Sequence, residues 1–262
     1  MHAVPVCLTI AGSDSGGGAG VQADLKTFAA LGVFGTSAIT CVTAQNPDEV
    51  AGIAPLAPAM VRLQIRTVAR GFPVAAAKTG MLYSAPIIRA VAKTIRALSL
   101  SPLVVDPVMI ATSGARLLQK DALNALRTEL LPLATVITPN APEAEVLGGR
   151  RIRSVPDLKA AARIIAQRYG VACVVKGGHL AGKRIVDVLC FGDRLVAFGA
   201  KPVRAPETHG TGCTFSAALT AYLALGKPLP DAVEAAKHYV TQALARARRI
   251  GKHHPLNFLW SA

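Results

Sequence analysis

The chain has 262 residues, of which 52% are hydrophobic and 17% are charged. Such a composition supports a large buried core and excludes an intrinsically disordered chain. No apolar run reaches the roughly 18 residues that a membrane helix needs, so no membrane partner is predicted. The short apolar run over residues 4–12 lacks the basic flank of a signal peptide.

The net charge of +14 raises the question of nucleic-acid binding. The 29 Lys and Arg residues are spread along the predicted helices, apart from a modest cluster between Arg246 and Lys252. No aromatic-rich stacking motif accompanies them. We therefore expect a solvated basic surface that attracts an anionic substrate such as a nucleotide, and no nucleic-acid partner.

The five cysteines include no Cys-x-x-Cys pair. Four lie between apolar residues in strand-like runs, as buried and inert thiols do: Cys7, Cys41, Cys173 and Cys190. This usage argues against a disulfide framework or a zinc site and predicts a cytoplasmic protein. Cys213 alone lies in a glycine loop.

Apolar periodicity predicts strands that alternate with helices along the chain. The predicted strands cover residues 4–11, 35–43, 50–56, 75–78, 103–105, 135–138, 171–175, 185–191 and 194–198. The predicted helices are one after the glycine-rich turn at 12–20, then 58–70, 85–98, 121–131, 156–169, 212–225 and 231–248. This alternation predicts an α/β fold with a mostly parallel sheet, in one domain over residues 1–262.

Polar motifs follow the predicted strands where each strand ends. They are the turn from Ser13 to Gly20, Gln45, Met81, Asp106, the stretch from Asn140 to Glu143, and Lys176. Ligands bind outside the carboxyl ends of the strands in open α/β sheets. We therefore expect these motifs to converge on one site.

The sequence His-Gly-Thr-Gly-Cys-Thr-Phe-Ser from His209 precedes a helix with one apolar face. Glycines at a helix start favour an anion site made by Gly210, Thr211 and Gly212. The alternative is a tight loop capped by Thr211. The field of the helix start is expected to lower the pKa of the Cys213 thiol.

Three further groups carry open alternatives. Lys176 is either a phosphate-binding lysine or an ordinary loop lysine. Asn140 and Glu143 are spaced as a helix cap, while Glu143 is also a candidate carboxylate for a magnesium ion held with phosphate oxygens. Asp106 either shares that magnesium role or caps the next turn. Asp187 alternates with apolar neighbours and is predicted to face solvent, and the histidines show no metal-ligand spacing. An anion site, a lysine and carboxylates together favour phosphoryl transfer.

Seven segments then resemble the hydroxymethylpyrimidine/phosphomethylpyrimidine kinases of thiamine biosynthesis, within the ribokinase superfamily. They are residues 11–28, 43–46, 79–82, 106–109, 138–145, 175–179 and 209–214, in the order that the family has them. The resemblance implies a ribokinase-like three-layer sandwich, phosphorylation by ATP of the hydroxymethyl group and then of the monophosphate, and a homodimer.

The resemblance also implies roles for individual residues. Gly210 to Gly212 would bind the transferred phosphoryl group, and Cys213 would be the base where most of the superfamily has aspartate. The pyrimidine would be surrounded by Gly12, Ala19, Asp24, Gln45, Met81 and Val108. Lys176 would meet the phosphates of ATP, and magnesium would be served by Asp106, Glu143 and Asn140.

One segment departs from the family. The C-terminal Gly-His-Gly-Pro run is here Gly-Lys-His-His-Pro, from Gly251 to Pro255. Two other functions stay open at this point: a vitamin B6 kinase of the same superfamily, and a basic nucleotide- or nucleic-acid-binding protein without turnover.

Overall fold

A computed structural model describes residues 3–111, 113–178, 180, 184–203 and 209–260. Within these residues one sheet has the strand order β3-β2-β1-β4-β5-β6-β7-β8-β9. The strands are β1 Val6–Asp14, β2 Phe34–Gln45, β3 Val50–Pro55, β4 Val74–Thr79, β5 Leu103–Val105, β6 Val136–Ile137, β7 Ala172–Val175, β8 Ile185–Phe191 and β9 Arg194–Ala200. The pairings from β2 through β7 are parallel, and β3, β8 and β9 are added antiparallel at the two edges.

Helices cover both faces of this sheet. They are α1 Gly20–Ala30, α2 Pro58–Gly71, α3 Ala85–Leu98, α4 Ala122–Ala125, α5 Ala141–Gly148, α6 Val155–Tyr169, α7 Thr211–Ala224 and α8 Leu229–Ala245. None of the helices in the described residues is long and apolar enough to cross a membrane.

Alternate residues of the central strands build two separate cores. Val105 and Ile137 pack with α2 to α6 on one face. Val104 and Val136, one residue earlier in each strand, pack with α7 and α8 on the other. Successive side chains of a strand point to opposite faces, so short apolar strands such as β5 are buried on both sides. The predicted α/β sandwich with a mostly parallel sheet is confirmed.

One predicted helix is irregular. The expected helix over 121–131 is instead the short α4, a π-helical turn Leu126–Leu130 and a 3-10 turn Leu131–Leu133. Thr128 donates its hydroxyl to the carbonyl of Asn124, and Pro132 lacks an amide hydrogen. Both effects disturb regular helix bonding.

Asp187 on β8 was expected to face solvent, and this prediction is wrong. Its side chain is buried, because α8 covers that side of β8 and brings Lys237 to 2.8 Å from Oδ2. The amide of Gly177 donates to the other carboxylate oxygen, Oδ1, over 2.9 Å. The β8–β9 hairpin itself is confirmed, with Phe191 paired to Arg194.

Candidate active site

The start of α7 is the centre of the site. Gly210 is the N-cap with φ of 83°, and α7 begins at Thr211. A Cβ on Gly210 would collide with the carbonyl oxygen of Gly18, so glycine is required for this conformation and for this close approach. The N-cap position of α7 thus belongs to Gly210, and Thr211 is the first helical residue. First-turn amides have no partner within a helix, so this end favours an anion.

Lys176 and Asp106 flank the same helix start. A Cβ on Gly212 would lie 3.3 Å from Nζ of Lys176 and 3.8 Å from Oδ2 of Asp106. Lys176 follows β7, and its Nζ lies 3.2 Å from Oδ1 of Asp106, which follows β5. Burial acts to lower the pKa of Lys176, but Asp106 and Glu143 hold it above its usual value. The lysine is therefore a cation beside the anion hole.

Asp106 is fixed by hydroxyl groups as well as by the lysine. Thr138 donates to Oδ1 and Ser216 to Oδ2, each over 3.3 Å. Thr138 follows β6 and Ser216 lies in α7, so three elements hold one buried carboxylate. The carboxyl ends of the parallel strands do converge here, as their polar motifs predict.

Asn140 and Glu143 form a complete capping box at α5. The side chain of Asn140 accepts from the amide of Glu143, and the carboxylate of Glu143 accepts from the amide of Asn140, both over 2.9 Å. The capping alternative is therefore confirmed. The predicted magnesium role of Asn140 stays a prediction, since an amide oxygen that accepts one hydrogen bond has a second lone pair.

Glu143 also belongs to the charge cluster of the site. Burial raises its pKa to about 7, Lys176 opposes this rise and Asp106 adds to it. Its Oε1 accepts from the amide of Met109 over 3.3 Å. No group of three or more His, Cys, Asp or Glu side chains is arranged to hold a metal ion anywhere in the described residues. Two nearby carboxylates still fit magnesium, which is commonly held by one or two carboxylates, phosphate oxygens and water.

A cavity open to solvent lies beside this cluster. Cys213 lines this cavity. So do five of the six residues predicted to surround the pyrimidine: Gly12, Ala19, Gln45, Met81 and Val108. Ser13 of the glycine-rich turn adds to its polar lining, and Leu117, which the sequence did not single out, adds to its apolar lining. A small, largely apolar cavity with a few polar groups is typical of a small-molecule site.

Asp24, the sixth predicted residue, is not among the lining residues. It is fully buried, with Lys78 Nζ 2.7 Å from Oδ1 and the Thr9 hydroxyl 2.6 Å from Oδ2. Both oxygens are thus occupied by protein groups. Sequence reasoning missed Lys78, although a lysine within the small apolar strand β4 is a signal of a buried ion pair.

Cys213 does not have the predicted lowered pKa. Burial raises the pKa of its thiol to about 12, while the Lys78 cation and a hydrogen bond from the amide of Gly20 act in the opposite direction. The sequence showed the helix start but not the packing around the sulfur. The other four cysteines are buried and free, as predicted.

A side-chain contact joins the glycine-rich turn to the residue before the N-cap of α7. Nε2 of His209 lies 3.0 Å from Oδ2 of Asp14. Asp14 also accepts from the amides of Gly16 and Ala19. Burial acts to raise the pKa of Asp14, but these hydrogen bonds and His209 hold it below its usual value. His209 is structural, and His179 lies outside the described residues.

An α/β sandwich that places a glycine-rich helix start beside a lysine and two carboxylates is typical of a small-molecule kinase. The chain matches the phosphomethylpyrimidine kinase family over residues 14–257. It is 49% identical over 251 residues to a hydroxymethylpyrimidine/phosphomethylpyrimidine kinase of Synechococcus elongatus, covering 95% of each chain. The chain belongs to the phosphomethylpyrimidine kinase family, as its motifs indicate.

Two solved structures extend the comparison. The fold superposes on an ADP complex of Bacillus subtilis pyridoxal kinase with a TM-score of 0.90 and 40% identity, covering 98% of each chain. It superposes on a phosphomethylpyrimidine kinase of Clostridium difficile with a TM-score of 0.81 and 42% identity, covering 91% of this chain and 99% of that one. The ribokinase-like fold and a phosphotransferase activity are thereby confirmed.

Proposed function

We propose that the protein transfers the γ-phosphoryl group of ATP to 4-amino-5-hydroxymethyl-2-methylpyrimidine and then to the resulting monophosphate, for thiamine biosynthesis. The observation that carries this proposal is the position of the α7 start, which lies between the cavity on one side and Lys176 on the other. Cys213 opens into the cavity lined by Gln45 and Met81, while Lys176 flanks Gly212. An acceptor hydroxyl and a donor phosphate would therefore meet at one helix terminus.

The cavity offers a fit for a flat, polar-edged ring. The side-chain oxygen of Gln45 lies 3.1 Å from the Thr43 hydroxyl, which also donates to the Ser13 carbonyl over 2.8 Å. The side-chain amide of Gln45 has hydrogens that can be donated to a ring nitrogen. Met81 and Val108 supply apolar surface for the ring faces. The hydroxymethyl group would then point toward Cys213.

In the proposed reaction an acceptor oxygen forms a bond to the γ-phosphorus, and the bond from that phosphorus to the bridging oxygen of ADP breaks. The amides at the start of α7 and Lys176 stabilise the charge on the transferred group. The thiolate of Cys213 takes the hydroxyl proton. Because burial raises the pKa of the thiol to about 12, the thiolate is a minor form at neutral pH. The Lys78 cation acts to lower this pKa and so favours the thiolate. Asp106 and Glu143 would hold magnesium together with phosphate oxygens and water, and the ion would supply charge neutralisation.

A vitamin B6 kinase activity is the second candidate, and the 0.90 TM-score to a pyridoxal kinase is the observation that favours it. The deciding experiment gives purified protein Mg-ATP with hydroxymethylpyrimidine or pyridoxal in parallel and separates products by charge. We expect mono- and diphosphate products from the pyrimidine, and a lower kcat/KM for pyridoxal. Preference for pyridoxal would reverse the assignment, and ATP binding without product would leave a nucleotide-binding protein.

We also propose a cytoplasmic homodimer. The five free thiols support a reducing compartment. Apolar side chains such as Ile110 and Val42, exposed by 55% and 47%, are surface that a second copy would cover. Light scattering of the purified protein should give twice the chain mass of 27.1 kDa; a monomer at micromolar concentration would contradict the dimer.

A further inference from the structure

The buried pair of Asp187 and Lys237 lies outside the cavity and outside the charge cluster around Asp106. The two side chains are 2.8 Å apart, on β8 and α8, and almost fully covered. A buried ion pair is weak evidence for stability, because removing two charges from water costs about as much as their attraction returns. Its position therefore needs another explanation.

The hydrogen bond from the Gly177 amide to Asp187, over 2.9 Å, explains the position of the pair. Gly177 is the residue after Lys176. The amide of Lys176 itself donates to the carbonyl oxygen of Pro139 over 2.9 Å. The backbone on either side of the Lys176 carbonyl is thus held at two points, one at the end of β6 and one on β8.

The backbone at Gly177 is packed closely against β8. A Cβ there would collide with the carbonyl oxygen of Val186, so the backbone lies directly against β8, one residue before Asp187. Lys237 holds the second oxygen of Asp187 and so fixes the orientation of the carboxylate. The contacts therefore run from Lys237 on α8, through Asp187 on β8, to Gly177, which is the residue next to Lys176.

We propose that Asp187, oriented by Lys237, is a positioning residue that sets the place of Lys176 at the anion hole. This inference rests on the proposed role of Lys176 at the phosphates of ATP. Asp187 touches neither substrate, and it acts through the Gly177 amide. A shift of about 1 Å in a reacting geometry costs on the order of 100-fold in rate.

Two double variants isolate this role. Asp187→Asn with Lys237→Met removes the ion pair but keeps an oxygen acceptor for Gly177. Asp187→Ala with Lys237→Met removes the ion pair and the acceptor. We expect the alanine pair to weaken the Kd for Mg-ATP and lower kcat/KM for ATP by about 10- to 100-fold, with the pyrimidine KM changed by less than about twofold. The asparagine pair should recover most of that loss.

Tyr239→Phe is the matched control for loss of a buried polar contact on α8. Its hydroxyl donates to the carbonyl of Phe258 over 2.6 Å and does not touch Gly177. This variant should lower Tm without changing ATP affinity, which is measured by calorimetry on folded protein. The proposal would be overturned if the two double variants, with Asp187→Asn and with Asp187→Ala, had the same Kd for Mg-ATP and the same kcat/KM for ATP.

Lys176→Ala separates failure of this inference from failure of the proposed function. We expect it to weaken ATP binding, and the difference between the two pairs should vanish in its background, because coupled residues are not additive. A difference that persists undiminished there would overturn the positioning role. Unchanged ATP constants in Lys176→Ala alone would instead remove the role of Lys176, and this inference with it.

Discussion

Cys213 differs from the other four thiols of the chain in reaching the cavity, so iodoacetamide should modify it first. Its raised pKa of about 12 sets the pH dependence. Since the thiolate is the reactive form, its fraction rises about tenfold per pH unit below the pKa. We expect the alkylation rate, followed by peptide mass spectrometry, to climb steadily from pH 8 to pH 10, and bound pyrimidine to protect the thiol.

A plateau above pH 8 would contradict the raised pKa and restore the expectation of a lowered one. Cys173 serves as the internal control, because it is fully buried and its own pKa is raised well above the usual value by burial. Its modification should stay negligible until the protein unfolds.

Substitution of Cys213 tests the base directly. Cys213→Ala should lower kcat by about 10²- to 10⁴-fold, which is the usual contribution of a general base. The pyrimidine KM should change little, because Gln45 and Met81 hold the ring. Cys213→Asp should recover part of the rate, since a carboxylate accepts the same proton. Wild-type turnover by Cys213→Ala would show that the thiol only packs at a crowded helix start.

Glu143 combines a cap with a proposed magnesium contact, and Glu143→Gln separates the two. Glutamine still accepts from the Asn140 amide and loses only the longer, 3.3 Å hydrogen bond from the Met109 amide, so the fold should be kept. Magnesium-dependent kcat/KM should fall by about 10- to 100-fold in a titration with Mg²⁺. A loss of Tm in proportion to the loss of activity would support capping alone.

The pH dependence of stability gives the same variant a second measurement. The pKa of Glu143 is about 7 in the folded protein and 4.5 as the ordinary value. A raised carboxyl pKa means that the folded state disfavours the ionised form. The stabilising contribution of protonated Glu143 to the free energy of unfolding is therefore complete below about pH 4.5 and is lost as the pH rises through 7. Relative to Glu143→Gln, the wild-type Tm without ligands should decline across that window; parallel curves would contradict the assignment.

At the level of elements, the glycines before and inside α7 have different constraints. Gly210 has a positive φ and no room for a side chain. Gly212 is helical, and among the described residues a Cβ there would meet Lys176 and Asp106 at 3.3 and 3.8 Å. Gly212→Ala should keep or slightly raise Tm, because alanine favours a helix by up to about 1 kcal/mol. A methyl group between the anion hole and Lys176 should lower kcat/KM by about 100-fold.

Gly210→Ala is the contrasting variant, and it should lose both Tm and activity. Steady-state kinetics and thermal melts on both proteins separate the two effects. Wild-type kcat/KM in Gly212→Ala would show that the space beside Lys176 does not hold a phosphoryl group.

The elements that could be predicted from the sequence are those whose local pattern decides their position. The strand ends at Gln45, Asp106 and Lys176 converge because parallel strands place their carboxyl ends at one edge. The pairing of Asp187 with Lys237 could not be predicted. Alternation along β8 assigns Asp187 to a face, but it does not reveal that α8 covers this face.

Asp24 shows the same limit inside the candidate site. Its place near the motif suggests contact with a ligand, whereas in the structure Lys78 and Thr9 occupy both of its oxygens. These partners come from β4 and β1, and their distance from Asp24 along the chain hides the contact. Electrostatic contacts between distant elements require the fold before they can be assigned.

For the whole molecule, the charge of +14 is unevenly placed. Helices α2 and α3 contain no acidic residue. Their cations are all exposed: Arg62, Arg66, Arg70, Arg89, Lys93 and Arg96. Arg89 is paired with Glu129 over 3.0 Å, an exposed contact worth about 0–1 kcal/mol. A surface of this kind raises the local concentration of anionic substrates.

The same surface should bind nucleic acid only through counterion release, without reading a sequence. Beside α2 the described residues place one exposed aromatic pair, Phe34 and Phe72, whose rings already stack on each other with centroids 5.5 Å apart. We expect a Kd for duplex DNA on the order of 10⁻⁴ to 10⁻⁶ M at physiological salt, measured by fluorescence anisotropy, and equal for unrelated sequences. Its logarithm should change linearly with the logarithm of salt concentration. Arg62→Glu with Arg66→Glu should reduce the salt slope while leaving kcat unchanged, because neither residue lines the cavity. Sub-nanomolar binding to one defined sequence would show that the basic face is a nucleic-acid site.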